Sequence, residues 1–458
     1  MSTSRRSFLG MSAAAVTAAA WLSGCGPADA GPDPASAGET GTDPLKVLLP
    51  RDEALPVQRA TLKRHSDALL DSDRRGRRAE PDDVPVTAYD TALHEALADG
   101  EGPGPDLVFS WGGSAIAHAA EEHRLVDLYD LLLDHPEAGE ALLPHALHGA
   151  IVNERPFGVP VRGTRPAVLF CHRRVLADLG LEPPTTWAQL KQTAKRLDKA
   201  GLIPVAAPGG DGGSDALPVG QSRWLAYLVD RIGGPETAER IRAGDPDAWG
   251  ERAVVQAAEE VLALADTGAF EPRTPRDRKG TGDSSGAALL ARGEAGLLLA
   301  ESTEHALIAR DFPAFAAADL AWVPFPALPD GAGRPGNLVG TPAGYLSMST
   351  RTENVLGAFD VLGAFTGREH SAALLKTGEV PVTSAAAQLL DEAPHPAFAR
   401  FQYELVRDAS AYTLGWERAV HPTWRAPLLA EVTKLFAGRG TARQFSTALR
   451  GLEVPVAR

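Results

Sequence analysis

Cysteine is scarce in this sequence, with two residues among 458. That number excludes a disulfide scaffold and a zinc site built from four cysteines. Basic runs are also short, and the densest, residues 74–78, holds four arginines around one glycine. Acidic residues outnumber basic residues by 59 to 45, which gives a net charge of −14. Nucleic acids and anionic membrane surfaces both attract positive charge, so we expect neither as the main partner.

Signals for bound metal or phosphate are weak. The Gly-rich stretch 208–215 lacks the Gly-Lys-Ser/Thr of a phosphate loop. His145 and His148 have helical spacing, but no third ligand with metal spacing is near, so we interpret them as surface histidines. Acidic pairs are too common here for counting to exclude glycosidase chemistry, although nothing marks one pair. We predict no cofactor and no metal site.

The length suggests two or three lobes at roughly 150 residues per domain. The composition, 44% hydrophobic and 23% charged, is typical of a soluble globular protein. Gly and Pro are abundant, with 46 and 36 residues, which predicts many turns.

The first residues have the pattern of an export signal. Arg5 and Arg6 form a twin-arginine pair, and the apolar stretch 8–22 is too short to cross a bilayer. Residues 22–25, Leu-Ser-Gly-Cys, resemble the lipobox of bacterial lipoproteins, in which the signal is cut before the cysteine and the thiol carries lipid. A plain export signal with an incidental cysteine is the alternative. We expect a signal peptide over 1–24, a flexible tether over 25–43, and lipid anchoring through Cys25 to the outer face of the cytoplasmic membrane.

Removal of the signal leaves Cys171 as the only unmodified thiol and changes the net charge to −16. Because Cys171 has no partner for a disulfide, we expect it to be buried and inert.

Short apolar runs alternate with amphipathic stretches in the first part of the mature chain. This alternation predicts an α/β fold with a parallel sheet. The predicted elements are strands 45–49, 84–88 and 105–110 and helices 52–74, 90–98 and 115–122.

The pattern then restarts after a break. A helix over 187–200 is expected to begin at Thr185 or Thr186 as its N-cap. The other predicted elements are strands 157–161, 167–170, 203–207, 295–300, 320–324 and 345–349 and helices 219–232, 247–265, 428–436 and 442–449.

The order of several stretches resembles the sugar-binding lipoproteins of bacterial ABC importers, the extracellular solute-binding family that includes maltose-binding protein. The stretches that carry the resemblance are 104–113, 157–161, 181–187, 293–297, 340–348 and 414–419. It implies a two-lobed periplasmic-binding-protein fold, with a mostly parallel sheet flanked by helices in each lobe and a cleft between them. The implied N-lobe is 44–160 plus about 318–372, and the implied C-lobe is 161–317 plus about 373–458.

Two positions depart from the family pattern. Cys171-His172 stands where many relatives have Tyr-Asn, and Glu301-Ser302-Thr303 stands where many have Ser-Trp or Pro-Trp. One stacking platform is therefore missing, which argues against an ordinary maltodextrin ligand but not against a carbohydrate in general.

Candidate ligand contacts lie where strands end and where aromatic and charged residues adjoin. A sugar ring is well bound by an aromatic ring under its C–H face and by carboxylates, amides and Arg at its hydroxyls. The candidates are Trp111, Gly112, Trp224, Glu301, Tyr345, Trp416, Glu417 and Arg418.

Each candidate has a structural alternative. Trp111 could plug the end of its strand, Tyr345 could be a core tyrosine, and Glu417 with Arg418 could be a solvated face. The four tryptophans interpreted as structural are Trp187, Trp249, Trp322 and Trp424.

The favoured function is a non-enzymatic, monomeric binding protein. Its two lobes would close on a sugar or oligosaccharide and then dock on membrane permease subunits of an ABC importer. Two alternatives remain open: an exported polysaccharide hydrolase, and a lipoprotein with a degenerate cleft and a sensing or docking role.

Overall fold

The computed structural model describes residues 43–51, 55–69, 78–85, 88–98, 104–206, 216–270, 285–341 and 343–452. The expected signal peptide with Arg5 and Arg6, the lipidation residue Cys25, and the tether up to residue 42 lie outside this range. The side chain of Arg418 also lies outside the described part.

The strands supply two main sheets and one short hairpin. In chain order they are β1 (Leu45–Arg51), β2 (Ala79–Pro85), β3 (Leu107–Ser110), β4 (Ile151–Val152), β5 (Arg155–Pro156), β6 (Val159–Pro160), β7 (Arg165–His172), β8 (Ile203–Ala206), β9 (Ala295–Glu301), β10 (Leu320–Val323), β11 (Leu338–Thr341), β12 (Tyr345–Met348) and β13 (Tyr412–Leu414).

The helices cover the faces of the sheets. They are α1 (Pro56–Ala68), α2 (Tyr89–Leu97), α3 (Ser114–Glu121), α4 (Tyr129–Asp134), α5 (Pro136–Glu140), α6 (Arg173–Asp178), α7 (Trp187–Lys199), α8 (Ala216–Gly233), α9 (Pro235–Arg242), α10 (Arg252–Ala265), α11 (Gly286–Ala291), α12 (Glu304–Asp311), α13 (Pro313–Ala318), α14 (Val355–Gly363), α15 (Arg368–Lys376), α16 (Pro396–Arg407), α17 (Trp416–Ala419), α18 (Pro422–Phe436) and α19 (Ala442–Arg450). Short 3₁₀ turns lie at His148–Ala150, Pro246–Gly250, Ser384–Gln388 and Leu390–Glu392.

The first sheet has the order β2-β1-β3-β12-β6. Strand β1 runs parallel to β2 and β3, whereas β12 runs antiparallel to β3 and β6. The edge strand β2 begins at Ala79, five residues before the predicted strand 84–88. Its sequence, Ala-Glu-Pro-Asp-Asp-Val-Pro, gives no sign of a strand at this position, because much of the strand is exposed and acidic.

The second sheet has the order β13-β11-β7-β9-β8, and β10 pairs with β7. Parallel pairs join β11 to β13 and β8 to β9, while β7 is antiparallel to β9, β10 and β11. The expected α/β fold with helices flanking the sheets is confirmed, but both sheets are mixed rather than mostly parallel. Strands β7 and β12 each enter their sheet from the other lobe, and for this reason they run antiparallel to their neighbours.

The pairing also moves one expected boundary. The resemblance placed the second entry into the N-lobe at about residue 318, but β10 and β11 hydrogen-bond to β7 in the second sheet. The chain therefore returns to the first sheet between Thr341 and Tyr345. Each lobe packs its helices around a separate hydrophobic core, one holding Leu107 and Leu346 and the other holding Leu169 and Leu225.

Local sequence explains the helix starts near the second sheet. Thr186 caps α7, since its Oγ1 accepts from the N–H of Gln189 at 3.3 Å and the Gln189 side chain accepts from the Thr186 N–H at 3.1 Å. This capping box satisfies two backbone donors that an uncapped helix would leave open.

Cys171 is fully buried in β7, as expected from the sequence. Burial raises the pKa of its thiol far above the ordinary value, which keeps it protonated. Among the described residues, no helix combines the length and the apolar character needed to cross a lipid bilayer.

Candidate functional site

Two neighbouring crossings connect the lobes and define the base of a cleft. One runs from β6 to β7 and the other from β11 to β12. They lie side by side, because Tyr345 pairs with Pro160 in the first sheet and Thr341 pairs with Arg165 in the second. The Val161 N–H donates to the Gly344 carbonyl at 2.7 Å between the two sheets. Residues at the strand ends next to these crossings therefore border the cleft.

Trp111 borders the cleft on the first lobe. It follows β3, whose last residue, Ser110, pairs with Tyr345 at the point where the second crossing enters the sheet. Its ring meets Phe109 edge-on with centroids 4.8 Å apart, and the residue is half-buried. Trp111 thus combines a fixed orientation with an exposed fraction, which suits a stacking surface.

The glycines after Trp111 serve the backbone turn into α3. Gly112 and Gly113 have φ of 78° and 69°, a region that glycine adopts readily. A Cβ on Gly112 would lie 2.7 Å from the Tyr345 ring. The Gly112 N–H points to Ser110 Oγ and the Gly113 N–H to the Gly149 carbonyl. Gly112 was selected from the sequence as a candidate ligand contact, and in this structure its N–H and that of Gly113 both donate within the lobe.

Tyr345 is a core residue rather than a stacking platform. It is 1% exposed, and its hydroxyl donates to the Ala146 carbonyl at 2.9 Å and accepts from the Gly149 N–H at 3.2 Å. Burial raises the pKa of this phenol far above its ordinary value. The alternative given in the sequence analysis, a core tyrosine, therefore describes Tyr345.

Charged side chains border the cleft on the second lobe. Glu301 ends β9, Arg223 lies on α8 and Glu417 lies on α17. Arg223 Nη2 donates to Glu301 Oε1 at 2.7 Å and to Glu417 Oε1 at 3.2 Å. One guanidinium therefore joins the two carboxylates that sequence reasoning selected.

Two more residues contact Glu301 at the crossings. Arg165 Nη1 lies 3.6 Å from Glu301 Oε2, and Thr341 Oγ1 donates to Glu301 Oε1. We call Arg165, Arg223, Glu301, Thr341 and Glu417 the polar network. Sequence reasoning missed Arg165, Arg223 and Thr341, although Arg165 and Thr341 adjoin the crossing segments, which is the signal that could have found them.

The polar network is compact and balanced in charge. The exposed fractions of its charged side chains are 17% for Arg165, 11% for Arg223, 18% for Glu301 and 4% for Glu417. Burial opposes the charge on Arg223, but Glu301 and Glu417 outweigh it and raise the pKa of the guanidinium. Its two guanidinium groups and two carboxylates make the network neutral overall.

Two guanidinium N–H groups in the network lack an acceptor in the described part of the chain. Within the described part of the chain, the Nε atoms of Arg165 and Arg223 are buried and have no hydrogen-bond partner. A buried donor without a partner carries an unfavourable free energy, which an acceptor placed beside it would relieve.

Two predicted aromatic contacts lie in the core instead of the cleft. Trp224 is 2% exposed and packs against Trp187 and Phe325, and Trp416 is 0% exposed and meets Trp249 edge-on at 5.0 Å. The expectation that these rings stack on a ligand disagrees with this structure, because neither presents a face to solvent. On short helix α17 the ring turns inward while the carboxylate of Glu417 joins the network.

The residues interpreted as structural tryptophans pack as expected. Trp187, Trp249 and Trp424 are at most 2% exposed, and Trp322 packs against His305 and Phe398. Within the described ranges, no group of three or more His, Cys, Asp or Glu side chains is arranged to hold a metal ion.

Comparison with known proteins gives a family match. The family model described as bacterial extracellular solute-binding protein matches residues 79–370. Comparison with curated proteins gives no match.

Solved structures share the architecture. The bacterial solute receptor AcbH, described as having an exclusive preference for β-D-galactopyranose, is 17% identical with a TM-score of 0.71, over 90% of this chain and 98% of that one. A chitin oligosaccharide binding protein is 20% identical with a TM-score of 0.67, over 89% and 98%. The cyclic α-maltosyl-1,6-maltose binding protein from Arthrobacter globiformis is 18% identical with a TM-score of 0.65, over 90% and 97%. At these identities the likeness establishes the two-lobed fold.

Proposed function

Because the chain belongs to the bacterial extracellular solute-binding protein family, we propose that it is the substrate-binding component of an ABC importer and takes an uncharged sugar or oligosaccharide. The ligand lies between the lobes and is delivered to permease subunits in the membrane. No covalent chemistry is part of this function, and the protein acts as a monomer without nucleic acid.

The observation that carries the proposal is the pairing of an aromatic surface with a polar network. Trp111 borders the cleft on the first lobe, and the polar network borders it on the second. A sugar ring has an apolar C–H face and a rim of hydroxyls, so it fits between these two surfaces. We assign ligand contact to Trp111, Glu301, Glu417, Arg165 and Arg223.

The charge balance of the network selects among ligands. Glu301 and Glu417 are already paired with Arg223, so a charged ligand would have to break an ion pair that is largely desolvated. A hydroxyl group, in contrast, accepts from an Arg Nε and donates to a carboxylate without adding charge. The carbohydrate ligands named for AcbH and the A. globiformis protein agree with this choice.

The mechanism we propose is closure of the lobes around the crossings. A ligand that contacts both lobes binds the closed arrangement more tightly than the open one and shifts the population toward it. We further propose that Arg5 and Arg6 direct export and that lipid on Cys25 holds the receptor at the outer face of the cytoplasmic membrane, because the sequence around them has that pattern.

A ligand screen tests the function. Purified protein is heated with D-galactose, maltose, chitobiose and longer oligosaccharides, and turnover of each sugar is followed in parallel. We expect at least one sugar to raise the melting temperature without being consumed, since a ligand at 100 times its Kd adds about 2.7 kcal/mol to stability. Hydrolysis of a sugar would favour an enzyme, and no shift with any sugar would contradict the proposal.

Variants then locate the site. Arg223→Gln should weaken binding of the selected sugar by at least about tenfold, because it removes charge-assisted hydrogen bonds. Arg400→Gln is the matched control, since Arg400 is half-exposed and pairs with surface Asp391 away from the polar network. Equal affinity in both variants would remove the polar network from the binding site while leaving the family assignment intact.

A further inference from the structure

A histidine–glutamate contact joins the two lobes beside the proposed site. His148 Nε2 lies 3.2 Å from Glu239 Oε1. His148 belongs to a turn whose neighbours Ala146 and Leu147 pack in the first-lobe core, whereas Glu239 lies on α9, whose Ile241 packs in the second-lobe core. His145 and His148, interpreted from the sequence as surface histidines, are both partly buried here, and His145 Nε2 donates to the Ala409 carbonyl at 2.8 Å.

Both sides of this contact adjoin the cleft. The residue after His148, Gly149, accepts from the Gly113 N–H and donates to Tyr345, next to the Trp111 edge. Helix α9 packs on α17, which carries Glu417 of the polar network. Movement of one lobe away from the other would separate His148 from Glu239.

We propose that His148 and Glu239 form a latch that stabilises the closed cleft when the imidazole is protonated, so that closure is favoured at mildly acidic pH. The latch goes beyond the proposed function, since it concerns the equilibrium between closed and open lobes without ligand.

The charges around the latch set the sign of its pH dependence. Burial opposes ionisation of Glu239, but His148 and Arg242 outweigh it and lower the pKa of the carboxyl to about 2. Glu239 therefore stays ionised at all pH values near neutrality, and the attraction varies with the charge of the imidazole. The other facing groups are Arg242, whose Nε donates to Glu239 Oε2 at 2.8 Å, and His145 on the same segment.

A second contact across the cleft acts with the opposite sign. Helix α3, which packs near the His148 turn, directs His118 toward His421 at the start of α18, with ring centroids 6.3 Å apart. His118 also lies 3.4 Å from Glu122, and Glu121 acts electrostatically on His421. Protonation of both rings would repel the lobes, which makes His421 the discriminating control.

Single-molecule fluorescence transfer measures the latch directly. The full chain carries Cys25→Ser, and dyes are placed on Asp130→Cys of the first lobe and Lys199→Cys of the second, two exposed positions. Buried Cys171 leaves no other accessible thiol in the described residues. Without any sugar, the ratio of closed to open molecules should be about twofold to fivefold higher at pH 6.0 than at pH 8.5, the effect of a partly exposed ion pair.

Variants decide whether this pair is responsible. His148→Gln and Glu239→Gln should each abolish or reverse the shift toward closure at pH 6.0, because only the opposing contact of His421 remains. His135→Gln, which alters a histidine–glutamate contact within the first lobe, should leave the shift unchanged. If the ratio of closed to open molecules does not change with pH in the protein that keeps both His148 and Glu239, the proposal is overturned. A shift toward closure at pH 6.0 that survives His148→Gln would also overturn it, and a shift toward opening in the unsubstituted protein that disappears in His421→Gln would overturn it and assign the sensor to the second contact. The ratio of closed to open molecules is measured without sugar, so it does not depend on the outcome of the sugar screen. The latch and the sugar-binding function can therefore be refuted independently.

Discussion

Arg162 and Glu379 form a doubly hydrogen-bonded ion pair beside the crossings, with Nε–Oε1 and Nη2–Oε2 distances of 3.1 Å. The same carboxylate accepts from the Gly163 N–H at 2.8 Å. The pair fastens the segment after α15 to the first crossing, and its side chains are only 10% and 12% exposed. It therefore fixes the backbone of the first crossing to the segment that follows α15.

Glu379→Ala should destabilise the protein by about 3 kcal/mol, because it leaves the Arg162 guanidinium buried without its partner. Urea unfolding measures the change. Asp391→Ala, which removes an 85% exposed partner of Arg400, should shift the midpoint little. Similar losses in both variants would show that burial at the crossing adds nothing to the pair.

Substitution of Trp111 should mainly weaken sugar binding, whereas substitution of Trp416 should mainly lower the stability of the fold. Trp416→Ala should lower stability by about 3–5 kcal/mol, since it empties a fully buried site beside Trp249. Trp111→Ala should weaken sugar binding by at least about tenfold with a smaller loss of stability, because its ring is half-buried. Calorimetric titration and thermal unfolding separate the two effects, and unchanged affinity in Trp111→Ala would remove it from the site.

Gly340 has no room for a side chain. A Cβ there would lie 2.2 Å from the Arg165 carbonyl oxygen and 2.6 Å from the Tyr412 hydroxyl. Gly340→Ala should therefore lower stability by about 1–3 kcal/mol, because backbone of β7 must move. Gly363→Ala is the control, since its Cβ would meet nothing within 4 Å at the end of α14, and it should raise stability by about 0.5 kcal/mol. Chemical unfolding measures the stability of both variants. Equal stabilities would refute the expected difference between Gly340→Ala and Gly363→Ala.

His370 should make the protein sensitive to acid. Its Nε2 lies 2.9 Å from the Val161 carbonyl and its Nδ1 2.8 Å from Thr61 Oγ1. Burial lowers the pKa of the imidazole to about 4. The unfolded chain, with an imidazole pKa of about 6.5, binds the proton first, so stability falls as pH drops from about 6.5 to about 4, by about 3 kcal/mol in all.

Unfolding curves at pH 7 and pH 4.5 measure this loss. His370→Gln, which keeps a donor for Val161, should show a clearly smaller drop than the unsubstituted protein. His94→Gln, at an exposed position of α2, should retain the full drop. A drop of equal size in His370→Gln would exclude His370 as a source of the acid sensitivity.

Local sequence is sufficient to predict many of the helices and strands and the α/β class. Predicted helices agree closely with α2, α3, α7 and α19, and predicted strands with β1, β9, β10 and β12. These segments are periodic, capped or buried, so neighbouring residues carry the signal. The predicted strand 84–88 lies about five residues after the start of β2. The reason is that β2 is stabilised by pairing with β1, which its own acidic sequence does not indicate.

Which side chains meet depends on packing between elements that are far apart along the chain. The sequence marked Glu301 and Glu417, but Arg223, which joins them, lies 78 and 194 residues away along the chain. Likewise, the sequence marked Trp416, yet the inward turn of α17 buries its ring and leaves Glu417 in the network. Orientation on a short helix and contact across hundreds of residues depend on packing between elements, and no local pattern encodes that packing.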